Sequence, residues 1–349
     1  MPTDWLREPA MTPSGTARRE AVERQRQLTK PAGSLGRLEA LAIELAALQR
    51  RARPAVDRVW ISLFAADHGI AVHPVSAYPR EVTAQMLANY ANGGAAINAL
   101  AETLDARLEV IDVGTLAPEV ANGVIDARIA AGTADISRDD AMTPDQLAQA
   151  LRTGRDAVER ALADASELFV AGEMGIGNTS SAAALASACL SLPARRLVGA
   201  GTGLDHAGVQ RKTKRLEQAL ARHAGARLTP LQILRAWGGF EIAAITGAYL
   251  RCAQRGLPAL VDGFITSAAA LLATRIEPRC LDWLIFAHVS AEPGHRLILE
   301  ALDATPLLSL GMRLGEASGA ACAVSLLRMA CAIHNHMATF ADAGVTEAP

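Results

Sequence analysis

Apolar runs recur along the chain, and each ends in polar or glycine residues before a stretch with helical spacing. Val59 to Ala66 stops at Asp67-His68-Gly69, and Leu108 to Val113 stops at Gly114. Leu168 to Ala171 leads into Gly172-Glu173, Pro258 to Val261 into Asp262-Gly263, and Leu284 to Ala287 into His288-Val289-Ser290. Val124 to Ala130 is expected as a further strand. Near-continuous apolar strands alternating with helices predict an α/β fold, a three-layer parallel sheet with helices on both faces. In such sheets ligands bind beyond the carboxyl ends of the strands. The ends near residues 67, 113, 173, 200 and 262 are therefore expected to line one site.

Helices are predicted over residues 16–29, from Arg37, and over 81–90, with another through Leu104. One more runs from the Thr143 cap and Pro144 to about Asp164. Lys30 to Gly36 breaks the first helix, and Leu38, Leu41, Leu45 and Leu48 form one apolar stripe on the second. Two helices before any strand suggest a small helical subdomain or an arm. The last helix is expected to reach Phe340.

The most informative stretch is Gly172-Glu173-Met174-Gly175-Ile176-Gly177-Asn178-Thr179-Ser180-Ser181, a strand, glycine turn and helix. Gly172, Gly175 and Gly177 permit positive φ and close approach of a ligand. Asn178, Thr179 or Ser180 is expected to cap the helix, whose start suits an anion, most often a phosphate. A bare structural turn would not need Glu173, a carboxylate unfavourable beside an anion unless it faces a cation. Gly199-Ala200-Gly201-Thr202-Gly203 is a second glycine loop, followed by a basic helix. Its charges read as a solvated face from which Lys212 is favoured to reach a phosphate.

Composition narrows the function classes. Half of the 349 residues are hydrophobic, aromatics are 4%, and net charge is −2. Low aromatic content and no long basic run argue against nucleic acid as a partner. Five cysteines without a C-x-x-C read as free thiols in a reducing compartment. The N-terminus lacks an apolar signal region, and Phe264–Ala273 is too short to span a bilayer, so a cytoplasmic protein without a membrane partner is expected.

Several constellations carry a plainer reading beside a chemical one. His288, Glu292 and His295 resemble a metal set, but Pro293 and Gly294 argue against a regular helix, leaving a solvated loop or a substrate contact. His334 and His336 read as surface or packing residues. Ser180 and Ser181 lie outside a nucleophile elbow and read as helix caps, and Asp67-His68 as a polar strand end shaping the pocket. Glu316, flanked by Gly315, Leu314 and Ala317, is either a partly desolvated base or a helix-start carboxylate favoured by the dipole. No ligand set for a metal and no cofactor is expected.

Taken in order, the stretches resemble the nicotinate-nucleotide–dimethylbenzimidazole phosphoribosyltransferases, which act in cobalamin synthesis. The resemblance rests on Lys30-Pro31-Ala32-Gly33-Ser34-Leu35-Gly36-Arg37-Leu38-Glu39, Ala66-Asp67-His68-Gly69, Asp112-Val113-Gly114, the Gly172–Thr179 turn, Gly238-Gly239-Phe240-Glu241, Leu260-Val261-Asp262-Gly263-Phe264, Ser290-Ala291-Glu292 and Met312 to Ala320. It implies a large α/β domain over 56–315, a small helical domain from 1–55 and 316–349, and a homodimer. It implies phosphoribosyl transfer from nicotinate mononucleotide to 5,6-dimethylbenzimidazole, yielding α-ribazole 5′-phosphate and nicotinate. Glu316 stands where the family has its base, and Glu173 is expected beside the ribose carbon. Gly175, Gly177, Asn178, Thr179, Gly201, Thr202, Gly203, Lys212 and Ser290 are expected at the phosphate and ribose. Tyr78, Met86, Met174, Leu314 and Gly315 are expected at the acceptor base. Tyr78 and Met86 fall where enteric-type sequences carry Ser and Gln, which leaves the acceptor's identity open. Another heterocycle's phosphoribosyltransferase or nucleosidase, and a non-catalytic nucleotide-binding regulator, are the rival readings.

Overall fold

In the computed structural model, which describes residues 3–346, helices and strands alternate through most of the chain. The elements are α1 (Gly15–Gln27), α2 (Arg37–Gln49), β1 (Val59–Ala66), α3 (Glu81–Ala91), α4 (Ala96–Thr103), β2 (Arg107–Gly114) and β3 (Ile125–Asp126). Next come α5 (Pro144–Ala163), β4 (Leu168–Met174), α6 (Asn178–Leu190), α7 (His206–Ala221), α8 (Pro230–Trp237) and α9 (Phe240–Arg255). The chain closes with β5 (Ala259–Val261), α10 (Phe264–Ile276), β6 (Leu284–Phe286), α11 (Pro293–Ala301), α12 (Ser318–His336) and α13 (Phe340–Ala343).

The six strands are parallel, in the order β3-β2-β1-β4-β5-β6. Every position of β1 is buried, as a strand covered on both faces requires. β1 pairs with β2 on one edge and β4 on the other. Strand order reverses between β1 and β4, so the crevice beyond their carboxyl ends is where such sheets receive ligands.

Local signals set several boundaries. Thr143 Oγ1 accepts from Gln146 N–H and the Gln146 side chain reaches back, a capping box that starts α5 with Pro144 in its first turn. β3 is shorter than the expected run over 124–130, because both of its residues are exposed on the sheet edge. Beyond it Ala127 and Ile129 still donate to Asp112 and Val113 of β2 without forming regular strand.

The two ends of the chain meet. Arg24 donates to the carbonyls of His334 and Asn335, Gln25 pairs with His334 Nδ1 at 2.9 Å, and Leu28 bridges Thr339. His334 is fully buried and also meets the Ala52 carbonyl, a packing role. α12 begins against the sheet and ends against α1 and α2. Among the described residues, no helix is long and apolar enough to cross a membrane, and the five cysteines are free thiols.

Candidate active site

Glu173 projects from the penultimate position of β4 and is only 4% exposed. The Asn178 amide donates to its Oε2, and the Glu316 backbone N–H also bonds the carboxylate. Burial pushes the Glu173 carboxyl well above its usual range, and Asp262, Glu241 and Glu316 push it further as like charges. Four acidic side chains from distant parts of the chain thus converge at one cleft, with Glu173 in its wall. Among the described residues, no group of three or more His, Cys, Asp or Glu is placed to hold a metal ion.

The turn after β4 opens α6 without a side-chain cap: the cap position is Gly177, at φ +102°. Asn178, Thr179 and Ser180 lie inside the helix, so the expected capping by one of them is corrected. The start has no side-chain acceptor, while the Asn178 and Ser180 N–H groups donate to the Gly175 and Gly177 carbonyls. Gly177 takes the expected positive φ, whereas Gly172 and Gly175 do not and have packing reasons instead. A Cβ on Gly175 would lie 2.2 Å from the Ala66 carbonyl oxygen, so this glycine lets β4's turn cross the end of β1.

Lys212 of α7 is 1% exposed, and its Nζ donates to Thr179 Oγ1 at 2.6 Å. Burial lowers its pKa to about 8, with Glu292 pulling the other way. The basic helix is thus not uniformly solvated: Arg211 and Lys214 are exposed, and Lys212 is turned inward. Arg313 Nη1 donates to the Gly201 carbonyl at 2.9 Å, tying the second glycine loop to the segment before Glu316.

That segment enters α12 through a left-handed turn. Gly315, Glu316 and Ala317 have φ of +82°, +60° and +63°. A Cβ on Gly315 would lie 2.2 Å from Glu173 Oε1, so the two acidic residues can approach only because residue 315 has no side chain. For Glu316 and Ala317 the left-handed conformation costs about 1–2 kcal/mol each, a strain that persists only where surroundings impose it. Glu316 is 6% exposed. Burial raises its carboxyl pKa, and the neighbouring Tyr90 hydroxyl lowers it in part.

The cleft is lined by Glu173, Met174, Gly175, Asn178, Thr179, Gly201, Thr202, Ser290, Leu314 and Gly315 among the expected residues. Gly177, Gly203, Lys212, Glu316, Tyr78 and Met86 are not part of this lining, although Lys212 reaches it through Thr179 and Gly203 is exposed. Tyr78 is 53% exposed, while Met86 is half-buried on α3. Arg313, His288, Glu292, Phe264 and Ile265 also line the cleft. The solvated-loop reading of His288 and Glu292 is corrected: both are buried. Pro293 does not prevent a helix there but opens α11 at its first position, with Glu292 as cap residue. Burial lowers the His295 pKa to about 3, keeping the ring neutral between Ser267 Oγ and the Ser290 N–H.

Of the five expected ends, those near 173 and 262 reach the cleft and the end of β6 joins them; the segment near 200 also reaches it, but as a loop that no strand precedes, which corrects that expected strand end. The ends of β1 and β2 lie beneath. His68 joins Ser181 Oγ at 2.9 Å and Glu241 Oε1 at 2.7 Å, so Asp67-His68 is corrected from pocket wall to support. Ser181 is neither a cap nor an available nucleophile, because all three side chains of this chain of bonds are 0–1% exposed. Sequence reasoning does not single out Tyr90, and it reads Asp262 only as one of the strand ends expected at the site; neither local sequence announces its distant partner, Glu316.

A phosphoribosyltransferase family model, DBI_PRT, matches residues 10–345. A nicotinate-nucleotide–dimethylbenzimidazole phosphoribosyltransferase of Azotobacter vinelandii is 59% identical, covering 100% of this chain and 99% of its own. The protein of the same name from Pseudomonas syringae pv. syringae is 56% identical with 100% of both chains covered. The crystal structure of CobT from Thermus thermophilus matches with a TM-score of 0.91 and 46% identity, covering 95% of this chain and 100% of that one. With the glycine turn, the paired acids and the parallel sheet on one chain, and a family match over nearly all of it, the protein belongs to the DBI_PRT phosphoribosyltransferase family.

Proposed function

We propose that the protein transfers phosphoribose from nicotinate mononucleotide to 5,6-dimethylbenzimidazole, giving α-ribazole 5′-phosphate and nicotinate, in assembly of the cobalamin lower ligand. The observation that carries this reading is one cleft that brings a buried lysine and a buried carboxylate together: its wall residue Thr179 accepts from Lys212, and its wall residue Glu173 is bonded to the Glu316 backbone. A pyridinium nucleotide needs both signs of charge within a few ångströms. Its phosphate matches the start of α6 with Lys212, Gly201, Thr202 and Ser290 nearby, and Gly177 and Gly203 shaping the turns. Its cationic ring and ribose carbon match Glu173.

An acceptor ring nitrogen attacks the ribose anomeric carbon. The carbon–nitrogen bond to nicotinate breaks, and its electron pair returns to the pyridine, which leaves neutral and needs no general acid. The acceptor ring becomes cationic, its N–H acidity rises, and Glu316 takes that proton. Glu173 stabilises the positive charge that develops on the ribose. Direct displacement inverts the β linkage to α. Met174, Leu314 and Gly315 flank the acceptor, with Met86 and Tyr78 on its outer side. Leu314 is 57% exposed, an apolar surface available to a flat heterocycle.

The same reading includes a cytoplasmic homodimer that engages neither nucleic acid nor membrane. It also includes a small helical domain built from 1–55 and 316–349 beside an α/β domain over 56–315, with α12 shared between them. Its test is incubation with nicotinate mononucleotide and a panel of benzimidazoles while nicotinate release is followed. Glu316→Gln is expected to lower kcat by ~10²–10⁴, the usual contribution of a positioned base, with donor binding nearly intact. No acceptor-dependent release of nicotinate by the parent would overturn the function, and a parental kcat in folded Glu316→Gln would remove Glu316 as base.

A further inference from the structure

Asp262 ends the β5 segment, is 1% exposed, and does not line the cleft. Its Oδ1 nevertheless accepts the Ala320 N–H at 2.7 Å, and the N–H groups of Gly319 and Ala317 also bond the carboxylate. Gly319 and Ala320 lie in the first turn of α12, a helix whose cap residue, Ala317, has no acceptor side chain. We propose that Asp262 is a positioning residue for the transfer reaction: a cap supplied by the sheet that holds the left-handed turn carrying Glu316.

Three consecutive left-handed residues need an external constraint, and two are present. Glu173 holds the turn at the Glu316 N–H, and Asp262 holds it from Ala317 onward. A local Ser or Asn would satisfy the helix start at lower electrostatic cost. Asp262 instead sits among Glu316, Glu173, Tyr249 and His288, whose Nε2 lies 3.7 Å from Oδ1. What a remote cap adds is reference: the turn is anchored to β5 rather than to the loop before it. His288 completes the clamp, because a Cβ on Gly319 would fall 2.1 Å from its Cδ2. Rigid elements hold catalytic groups more closely than loops do.

This inference rests on Glu316 being the base, and a double-mutant cycle separates the two. Asp262→Ala is expected to lower kcat about 10²-fold, the usual penalty for a misplacement of about 1 Å. Asp262→Asn, which keeps one acceptor oxygen, is expected to lower it about tenfold. Both should leave the KM of donor and acceptor within about threefold. In the Glu316→Gln background, followed by single-turnover nicotinate release, either Asp262 substitution should change the rate less than threefold, because the group it positions is gone. Full multiplication of the two effects, or a loss expressed mainly in KM, would overturn the positioning role while leaving the base assignment standing. A parental rate for Glu316→Gln alone would overturn the base and the positioning role together. Should Asp262→Ala fail to fold, the near-isosteric Asp262→Asn carries the same cycle.

Discussion

Gly315→Ala tests whether the approach of Glu173 to the turn carrying Glu316 matters for rate or only for packing. The new methyl would sit 2.2 Å from Glu173 Oε1 at a residue with φ of +82°. The backbone penalty is about 1–2 kcal/mol. Relieving the collision moves the carboxylate or the turn by about 1 Å, which at a reacting centre is worth ~10² in rate. Gly311 provides the control within the same segment: φ is +69°, and a Cβ there meets nothing within 4 Å. Gly311→Ala should therefore share the backbone penalty, lowering Tm by about 2–4 °C, and keep its kcat. Gly315→Ala should show at least the same fall in Tm and lose ~10² in kcat. Differential scanning fluorimetry and nicotinate release measure the two quantities side by side. Equal rates for the two variants would refute the argument that Glu173 is held in place for chemistry.

Two further outcomes follow from the charged groups. Lys212→Met should raise the donor Kd by about 10–100-fold, from the loss of a charge-assisted contact to phosphate, with acceptor KM unchanged; an unaltered donor Kd in titration calorimetry would take Lys212 out of the phosphate site. Glu173→Gln should stabilise the unliganded protein increasingly as pH rises. The carboxyl's folded pKa is raised by burial and then by Asp262, Glu241 and Glu316, so the fold binds this proton more tightly than the unfolded chain does. Its stabilising contribution is complete below the unfolded carboxyl pKa, near 4.3, and is lost as pH climbs toward the raised folded value. The Tm difference between Glu173→Gln and the parent should therefore grow in favour of the variant from pH 5 to 8, and a difference independent of pH would contradict the cause assigned to the shift.

What the sequence made readable depended on whether the cause was local. β1 was legible because both its faces are buried and its residues are apolar throughout. The longer strand expected after residue 124 failed because an exposed edge gives apolar residues nothing to cover. Strand order was not legible: β1 pairing β4 across more than a hundred residues leaves no periodic mark. The turn after β4 could be read as strand, glycine turn and helix, yet the reason for Gly175 lay in the Ala66 carbonyl beside it. Lys212 could be favoured among several charges of α7, but only the packing of that helix shows that it points inward. Asp262 and Tyr90 act on Glu316 through space, so no spacing rule could have joined them.

With Glu316 as the proposed base, the order of residues along the chain also sets when during synthesis the site is complete. Glu173, Glu241, Asp262 and Glu316 are translated in that order, and domains tend to fold as they emerge. The sheet and most of its helices can assemble before α12 exists. The proposed base and the turn that orients it arrive with the last tenth of the chain, together with the segment that pairs with α1. A prematurely terminated product can therefore possess the glycine turn and Lys212 while having no means of deprotonating an acceptor. On that proposal such a fragment could sequester the nucleotide but not consume it, and turnover would wait for the segment that carries Glu316.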